Sequence, residues 1–236
     1  FADLEKRAEI NHGMSTECEW RFNLSENCET SKEPKVLLLG DSYAMHLAQG
    51  IIASKPDIHF RQHTISSCSP ILGYAGLNVK EGRDFAWVEN CHAFNNAVFN
   101  WLQGAETVEF VILSSPFDWV KKEQIVGEDG RVLPPDPDFL IAQFGETVAA
   151  IRSLGVGVVL VSPTPRSGAD IGRCLTRKAQ YRSSQSCSFT FPNEAYSNDF
   201  VQALASHVSV YWLQDDICTG TDCRAEIDGK MIYRDS

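Results

Sequence analysis

Gly40-Asp41-Ser42 follows directly on the apolar run Val36–Leu39 and opens directly into a helical pattern. A serine at the exit of a buried strand has two uses. It can cap the helix that follows, because its hydroxyl satisfies an orphan backbone N–H. It can also be a nucleophile, held where the chain turns sharply and where the N–H groups of a helix start stabilise an oxyanion. Gly40 allows the turn to be tight and Asp41 can accept from backbone donors there; these residue types leave both uses open. Nucleophilic serine chemistry needs a base, and there are six histidines to consider: His12, His46, His59, His63, His92 and His207. His46 stands one helical turn beyond Ser42. His59 and His63 have HxxxH spacing but fall on a predicted strand, where four residues span roughly 13 Å, too far to share one ion. With no CxxC pair present, neither a metal nor another cofactor is expected.

The eight cysteines fall into four local couples, Cys18/Cys28, Cys68/Cys91, Cys174/Cys187 and Cys218/Cys223. An even count with close partners reads as disulfides made in an oxidising compartment. Sequential pairing is the simplest of the roughly 105 possible connectivities. A net charge of −10 argues against nucleic acid as a partner, since phosphate binding needs a concentrated basic face. No apolar run is long enough to span a membrane. The opening FADLEKRAEI has no signal-peptide pattern, so any targeting element is expected outside these residues.

The elements that must position Ser42 follow from apolar periodicity. Strands are predicted at 35–40, 57–65, 108–115, 156–163 and 208–213, and helices at 42–54, 85–104, 136–155 and 193–207. Short apolar strands alternating with helices imply a parallel sheet covered on both faces, and in such sheets ligands sit at the carboxyl ends of the strands. Residues 1–34 read as a disulfide-pinned lead-in and 121–137 as a surface loop. The stretch 163–194 is too long for a bare connector and reads as a functional flap. Between 163 and 186 it sets Arg166, Arg173, Arg177, Lys178 and Arg182 against one acid, Asp170, a patch suited either to an anionic ligand or to solvent.

"GDSYAMH" (40–46) resembles the first block of the SGNH (GDSL-like) hydrolase superfamily. More narrowly, it is similar to the GDSHAxH form of the periplasmic SGNH domains fused to membrane acyltransferase-3 proteins. The likeness continues in order through the cysteine-bearing lead-in, "SSCSP" (66–70), "VSPTPRSGADIGRCL" (161–175) and "CTGTDCRAEIDGKMIYRDS" (218–236). That family closes on a cysteine couple followed by D-G-x-x-x-Y-x-D-x-x-H, matched here by Asp228-Gly229, Tyr233 and Asp235. The resemblance implies an α/β, three-layer α/β/α fold with a five-stranded, mainly parallel flavodoxin-like sheet and disulfide-stapled loops. It divides the chain into the lead-in, 1–34, and the SGNH domain, 35–236, cut short near its Asp/His motif.

The resemblance also assigns roles. Ser42 becomes the nucleophile and Asp235 the carboxylate that orients a histidine, itself expected three residues after Asp235 and so just beyond Ser236. His46 matches a motif histidine that is not catalytic. The oxyanion donors would be the Ser42 N–H, Ser67 in the region where the superfamily has glycine, and Ser114 or Ser115 where it has asparagine. This chain reads "LSSPFDW" (113–119) there, a departure that leaves one donor unassigned. Asp118 and Trp119 are candidates for the site mouth, and Arg166 and Asp118 for substrate contact. The function implied is an O-acyltransferase, first of all an O-acetyltransferase, that passes an acyl group through Ser42 to a bacterial cell-surface polysaccharide such as O-antigen. Its partners would be that glycan acceptor and an upstream integral membrane acyltransferase domain. The setting is a periplasmic domain of an inner-membrane protein, monomeric when isolated. An esterase or carbohydrate deacetylase with the same site, and a noncatalytic glycan-binding module, are the alternatives.

Overall fold

The computed structural model describes residues 10–191, 196–228 and 230–233. Their contacts divide into two compact units. The larger comprises His12–Ser162 with Tyr196–Tyr211, and the smaller Phe1–Asn11, Pro163–Ala195 and Trp212–Ser236.

In the larger unit the chain alternates strand and helix, as its periodicity requires: β1 (Val36–Gly40), α1 (Ser42–Ser54), β2 (Phe60–Thr64), β3 (Tyr74–Leu77), α2 (Phe85–Gly104), β4 (Phe110–Ser114), β5 (Gln124–Gly127), β6 (Val132–Leu133), α3 (Pro137–Ser153) and β7 (Gly157–Val161). After the smaller unit's second segment come α5 (Tyr196–Leu204) and β9 (Ser209–Tyr211). Five strands form one sheet in the order β2-β1-β4-β7-β9, and every pairing is parallel. This is the flavodoxin-like order that the resemblance implies. Alternate residues of β1 serve opposite faces, as the period of two dictates. Leu38 packs with Ala44 and Ala48 of α1, whereas Leu39 faces Val98 and Leu102 of α2 and Ile151 of α3. Helices thus cover both faces.

The helices begin where the sequence supplies caps. Asp41, Asp84 and Asp136 each accept from a first-turn N–H of α1, α2 and α3, satisfying donors that have no intrahelical partner. The lead-in's residues from Met14 to Thr30 cover the edge strand β2, which would otherwise offer unpaired backbone groups. Thr30 N–H donates to Phe60 O, Met14 N–H to Gln62 Oε1, and Arg61 forms a buried ion pair with Glu29 at 2.6 Å. The Cys18–Cys28 disulfide closes this segment.

One expectation is corrected. The 121–137 stretch is not a bare loop, because β5 and β6 form an antiparallel hairpin that also pairs β5 with β3. The turn is Asp129-Gly130, with Gly130 at φ +76°, the residue pair and conformation that tight hairpins favour.

The smaller unit has its own core. The long 163–194 excursion holds a helix, α4 (Ile171–Tyr181), capped by Asp170, and a short strand, β8 (Phe189–Thr190). After α6 (Leu213–Ile217) come β10 (Cys218–Thr219), β11 (Asp222–Cys223), β12 (Glu226–Ile227) and β13 (Lys230–Met231). Ile171, Leu175, Phe191, Ile217 and Tyr233 are buried together. The Cys174–Cys187 and Cys218–Cys223 disulfides lie in this unit, and Cys68–Cys91 in the larger one. All four sequential couples are therefore bonded, as the spacing led us to expect.

Candidate active site

The carboxyl ends of the parallel strands are level. Gly40 is in register with Thr64 of β2 and with Ser114 of β4, and Ser114 with Val161 of β7. Ser42 is the first residue of α1, two residues past that row, and is half-buried. The turn is forced by Gly40, whose φ is +152°. A Cβ there would stand 2.0 Å from the backbone carbonyl oxygen of Ser114. Only glycine fits, so the glycine before Asp41-Ser42 is a steric requirement of β1 lying against β4.

Asp41 fixes the turn from four sides. Its N–H donates to Ser114 O at 3.4 Å and its carbonyl accepts from Met45 N–H at 3.0 Å. Its carboxylate accepts from Tyr43 N–H on Oδ1 at 2.9 Å and from the Ser115 hydroxyl on Oδ2 at 2.6 Å. Asp41, not Ser42, is therefore the N-cap, which leaves the Ser42 hydroxyl uncommitted to capping. Among the described residues neither the Ser42 hydroxyl nor its N–H has a hydrogen-bond partner.

The loop after β2 supplies a second free donor. Ile65 N–H donates to Gly40 O, carrying this loop alongside the Ser42 turn, and Cys68 N–H closes back to Ile65 O. Between them Ser67 is exposed at φ +64°, left-handed backbone that glycine adopts more readily. Its N–H also has no acceptor among the described residues. The Cys68–Cys91 disulfide ties the loop to α2.

A model of the family described as the SGNH domain fused to AT3 domains matches residues 15–236. The chain belongs to this family. No curated protein matches the sequence. A solved structure from Bacteroides fragilis, described as that of a candidate acylhydrolase, is similar at 12% identity with a TM-score of 0.41, over 97% of this chain and 85% of that one. SGNH membership places the domain among proteins that transfer or hydrolyse acyl groups, and the fusion in the family's description makes it the kind of domain found in membrane proteins. Among its described residues no helix is long and apolar enough to cross a membrane.

The remaining sequence candidates of this SGNH domain fall as follows. Ser114 is 1% exposed, with its hydroxyl enclosed and unpartnered; what it gives the turn is its carbonyl. Asp118 is half-buried in the loop after β4. Trp119 is buried, its indole over Gly76 and its Nε1–H donating to Ser69. Arg166 is half-buried and belongs to the smaller unit. Asp235 lies outside the described residues.

None of the histidines is placed to serve Ser42 by a described contact. His63 is 2% exposed between Phe22 and Trp101, and burial with the nearby Arg61 charge pushes its pKa down to about 3. Burial likewise lowers His92. His12 is hydrogen-bonded to Glu19. His59 precedes β2 and His207 precedes β9, at the amino ends of the strands and so away from Ser42. His46 is exposed on α1 beside Tyr43. Among the described residues no cluster has the donors for a metal ion.

Sequence reasoning missed Ser69 and the use of Ser115 and Trp119. These residues meet across separations of 46 to 74 residues, and no local pattern records such a meeting.

Proposed function

We propose that this domain is an O-acyltransferase, in the first instance an O-acetyltransferase, working through an acyl-enzyme at Ser42. The Ser42 hydroxyl attacks the acyl carbonyl while a base takes its proton. The tetrahedral oxyanion is met by the N–H groups of Ser42 and Ser67. Collapse expels the donor's leaving group, protonated by the same base, and leaves an ester on Ser42 Oγ. A sugar hydroxyl then attacks that ester, gives its proton to the base, and departs acylated as Ser42 regains its own proton. By the family pattern Asp235 would orient the base, a role the family gives to a histidine three residues after that aspartate. The donor would be an integral membrane acyltransferase domain, and the acceptor a cell-surface polysaccharide such as O-antigen, met on the periplasmic side.

The observation that carries this reading is the Ser42 turn. Glycine geometry and the Asp41 cap hold Ser42 at the carboxyl end of the sheet, where among the described residues its hydroxyl and the N–H groups of Ser42 and Ser67 have no hydrogen-bond partner. Fusion to AT3 domains supports transfer over hydrolysis.

The test is covalent labelling of the full-length protein by a fluorophosphonate, with polysaccharide acetyl content measured by mass spectrometry. Wild type should label at Ser42 and acetylate its glycan, and Ser42→Ala should do neither. Acetate released to water with none on glycan would make the domain an esterase. Glycan binding with equal labelling of wild type and Ser42→Ala would leave a noncatalytic module.

A further inference from the structure

Behind the Ser42 turn runs a buried file of four polar side chains from three segments, the turn itself and the loops after β2 and β4. Trp119 Nε1–H donates to Ser69 Oγ at 2.9 Å. Ser69 Oγ lies 2.7 Å from Ser115 Oγ, and the Ser115 hydroxyl donates to Asp41 Oδ2 at 2.6 Å. All four residues are less than a tenth exposed. The two ends fix the direction of every proton. An indole N–H only donates, and the Ser115 hydroxyl donates its one proton to Asp41. Ser69 must therefore donate to Ser115 and in turn accept from Trp119. Ser115 Oγ also accepts from Phe117 N–H at 3.3 Å, which fills its lone pairs.

We infer that this directional file is a positioning device for the nucleophile, with Ser115, Ser69 and Trp119 acting on Ser42 through Asp41. The inference rests on reading Ser42 as the nucleophile. With Oδ2 held by Ser115, Oδ1 stays on the Tyr43 N–H. The second N–H of α1 is thereby consumed, and the first, that of Ser42, which has no partner among the described residues, is the one available to an oxyanion. The file also accounts for the departure at "LSSPFDW". Ser115 stands in the loop where the superfamily carries an asparagine donor, but its proton is committed inward to Asp41 and is not available to an oxyanion. This chain uses that position to hold the turn.

Buried polar groups must be satisfied in any case, so the test has to separate positioning from mere satisfaction. The full-length protein is labelled at Ser42 with a fluorophosphonate over a range of reagent concentrations, which separates reagent binding from the bond-forming step. The Trp119 indole N–H resonance, identified by its loss in Trp119→Phe, is followed by NMR. Ser115→Ala should slow the bond-forming step about 10- to 100-fold, the range for losing a hydrogen bond to a charged group, with reagent binding unchanged. Ser115→Thr keeps the hydroxyl and should return the rate toward wild type. Asp41→Asn should move the Trp119 resonance, although two hydroxyls stand between the residues. Labelling of Ser115→Ala at the wild-type rate, no rescue by Ser115→Thr, or an unmoved resonance in Asp41→Asn would each overturn the inference. If Ser115→Ala does not fold, Ser115→Thr and Asp41→Asn carry the decision. Failure of the wild type itself to label at Ser42 would instead remove the nucleophile reading, an outcome visible before any variant is made.

Discussion

Gly40→Ala puts one methyl group at the tightest point of the proposed site. Its Cβ would lie 2.0 Å from the Ser114 carbonyl oxygen and 3.0 Å from Ala44 Cβ. The first contact is with backbone in the middle of a sheet, so no side chain can swing away. Relief requires the end of β4 to retreat by about 1 Å or the turn to abandon its φ of +152°. Strain at a disfavoured backbone conformation costs about 1–3 kcal/mol and overpacking another 1–3 kcal/mol or so. The expected loss is therefore about 2–6 kcal/mol, against a total stability on the order of 5–15 kcal/mol. Function should suffer more than the fold. The Asp41 N–H bond to Ser114 O is already 3.4 Å long and would not survive the retreat, and Ser115 moves with Ser114. Misplacement of a reacting group by about 1 Å costs on the order of 100-fold in rate. Gly50 supplies the control. It is exposed in the middle of α1, and a methyl group added there would meet nothing within 4 Å. Gly50→Ala should therefore stabilise by about 0.5–1 kcal/mol, the helix preference for alanine. Urea midpoints and fluorophosphonate labelling of both variants measure the contrast. A Gly40→Ala protein less than about 1 kcal/mol weaker than wild type and labelled at the same rate would refute the steric account of the turn.

Two further predictions concern the edge strand β2 and the loop that follows it. His63 is held neutral by burial, its pKa at about 3 against 6.5. The unfolded chain binds the proton that the folded one refuses, so stability is intact above pH 6.5 and lost as pH falls below it. The loss should reach up to about 2 kcal/mol at pH 5, and His63→Phe should flatten the decline; an equal decline in both proteins would show that another group is responsible. At Ser67, φ +64° penalises β-branched residues. Ser67→Gly should fold and label like wild type or better, whereas Ser67→Val should lose about 1–2 kcal/mol and label slowly. Equal labelling of all three would remove Ser67 from the oxyanion site.

The parallel sheet was legible because its strands are short apolar runs between caps. α1 and α2 occupy the residues their periodicity marks, 42–54 and 85–104, since apolar spacing and an aspartate cap agree at each start. The β5–β6 hairpin was missed although Asp129-Gly130 is a strong turn signal, because strands of four and two residues carry too little alternation to register. α4 was hidden within a long excursion, yet Asp170 before Ile171, Cys174 and Leu175 is a cap ahead of apolar residues at helical spacing. The Ser42 turn was legible because all its parts are contiguous. The file behind it was not, because Ser69, Ser115 and Trp119 acquire meaning only when β2, β4 and the loops after them come together.

That difference bears on how the site is built. A side-chain oxyanion donor is a single residue that evolution can add or delete at one position. The donors proposed here are backbone N–H groups, present in every residue but proline, and they are useful only when aimed. Aim is set by φ at Gly40 and Ser67, by the Asp41 cap, and by the file that holds that cap. A site built on such donors thus depends more heavily on the rigidity of its turns. Its sensitive positions should then be residues that never touch substrate, Gly40 and Ser115 first among them, and substitutions there should lower the rate of acyl-enzyme formation while leaving substrate binding near its wild-type strength.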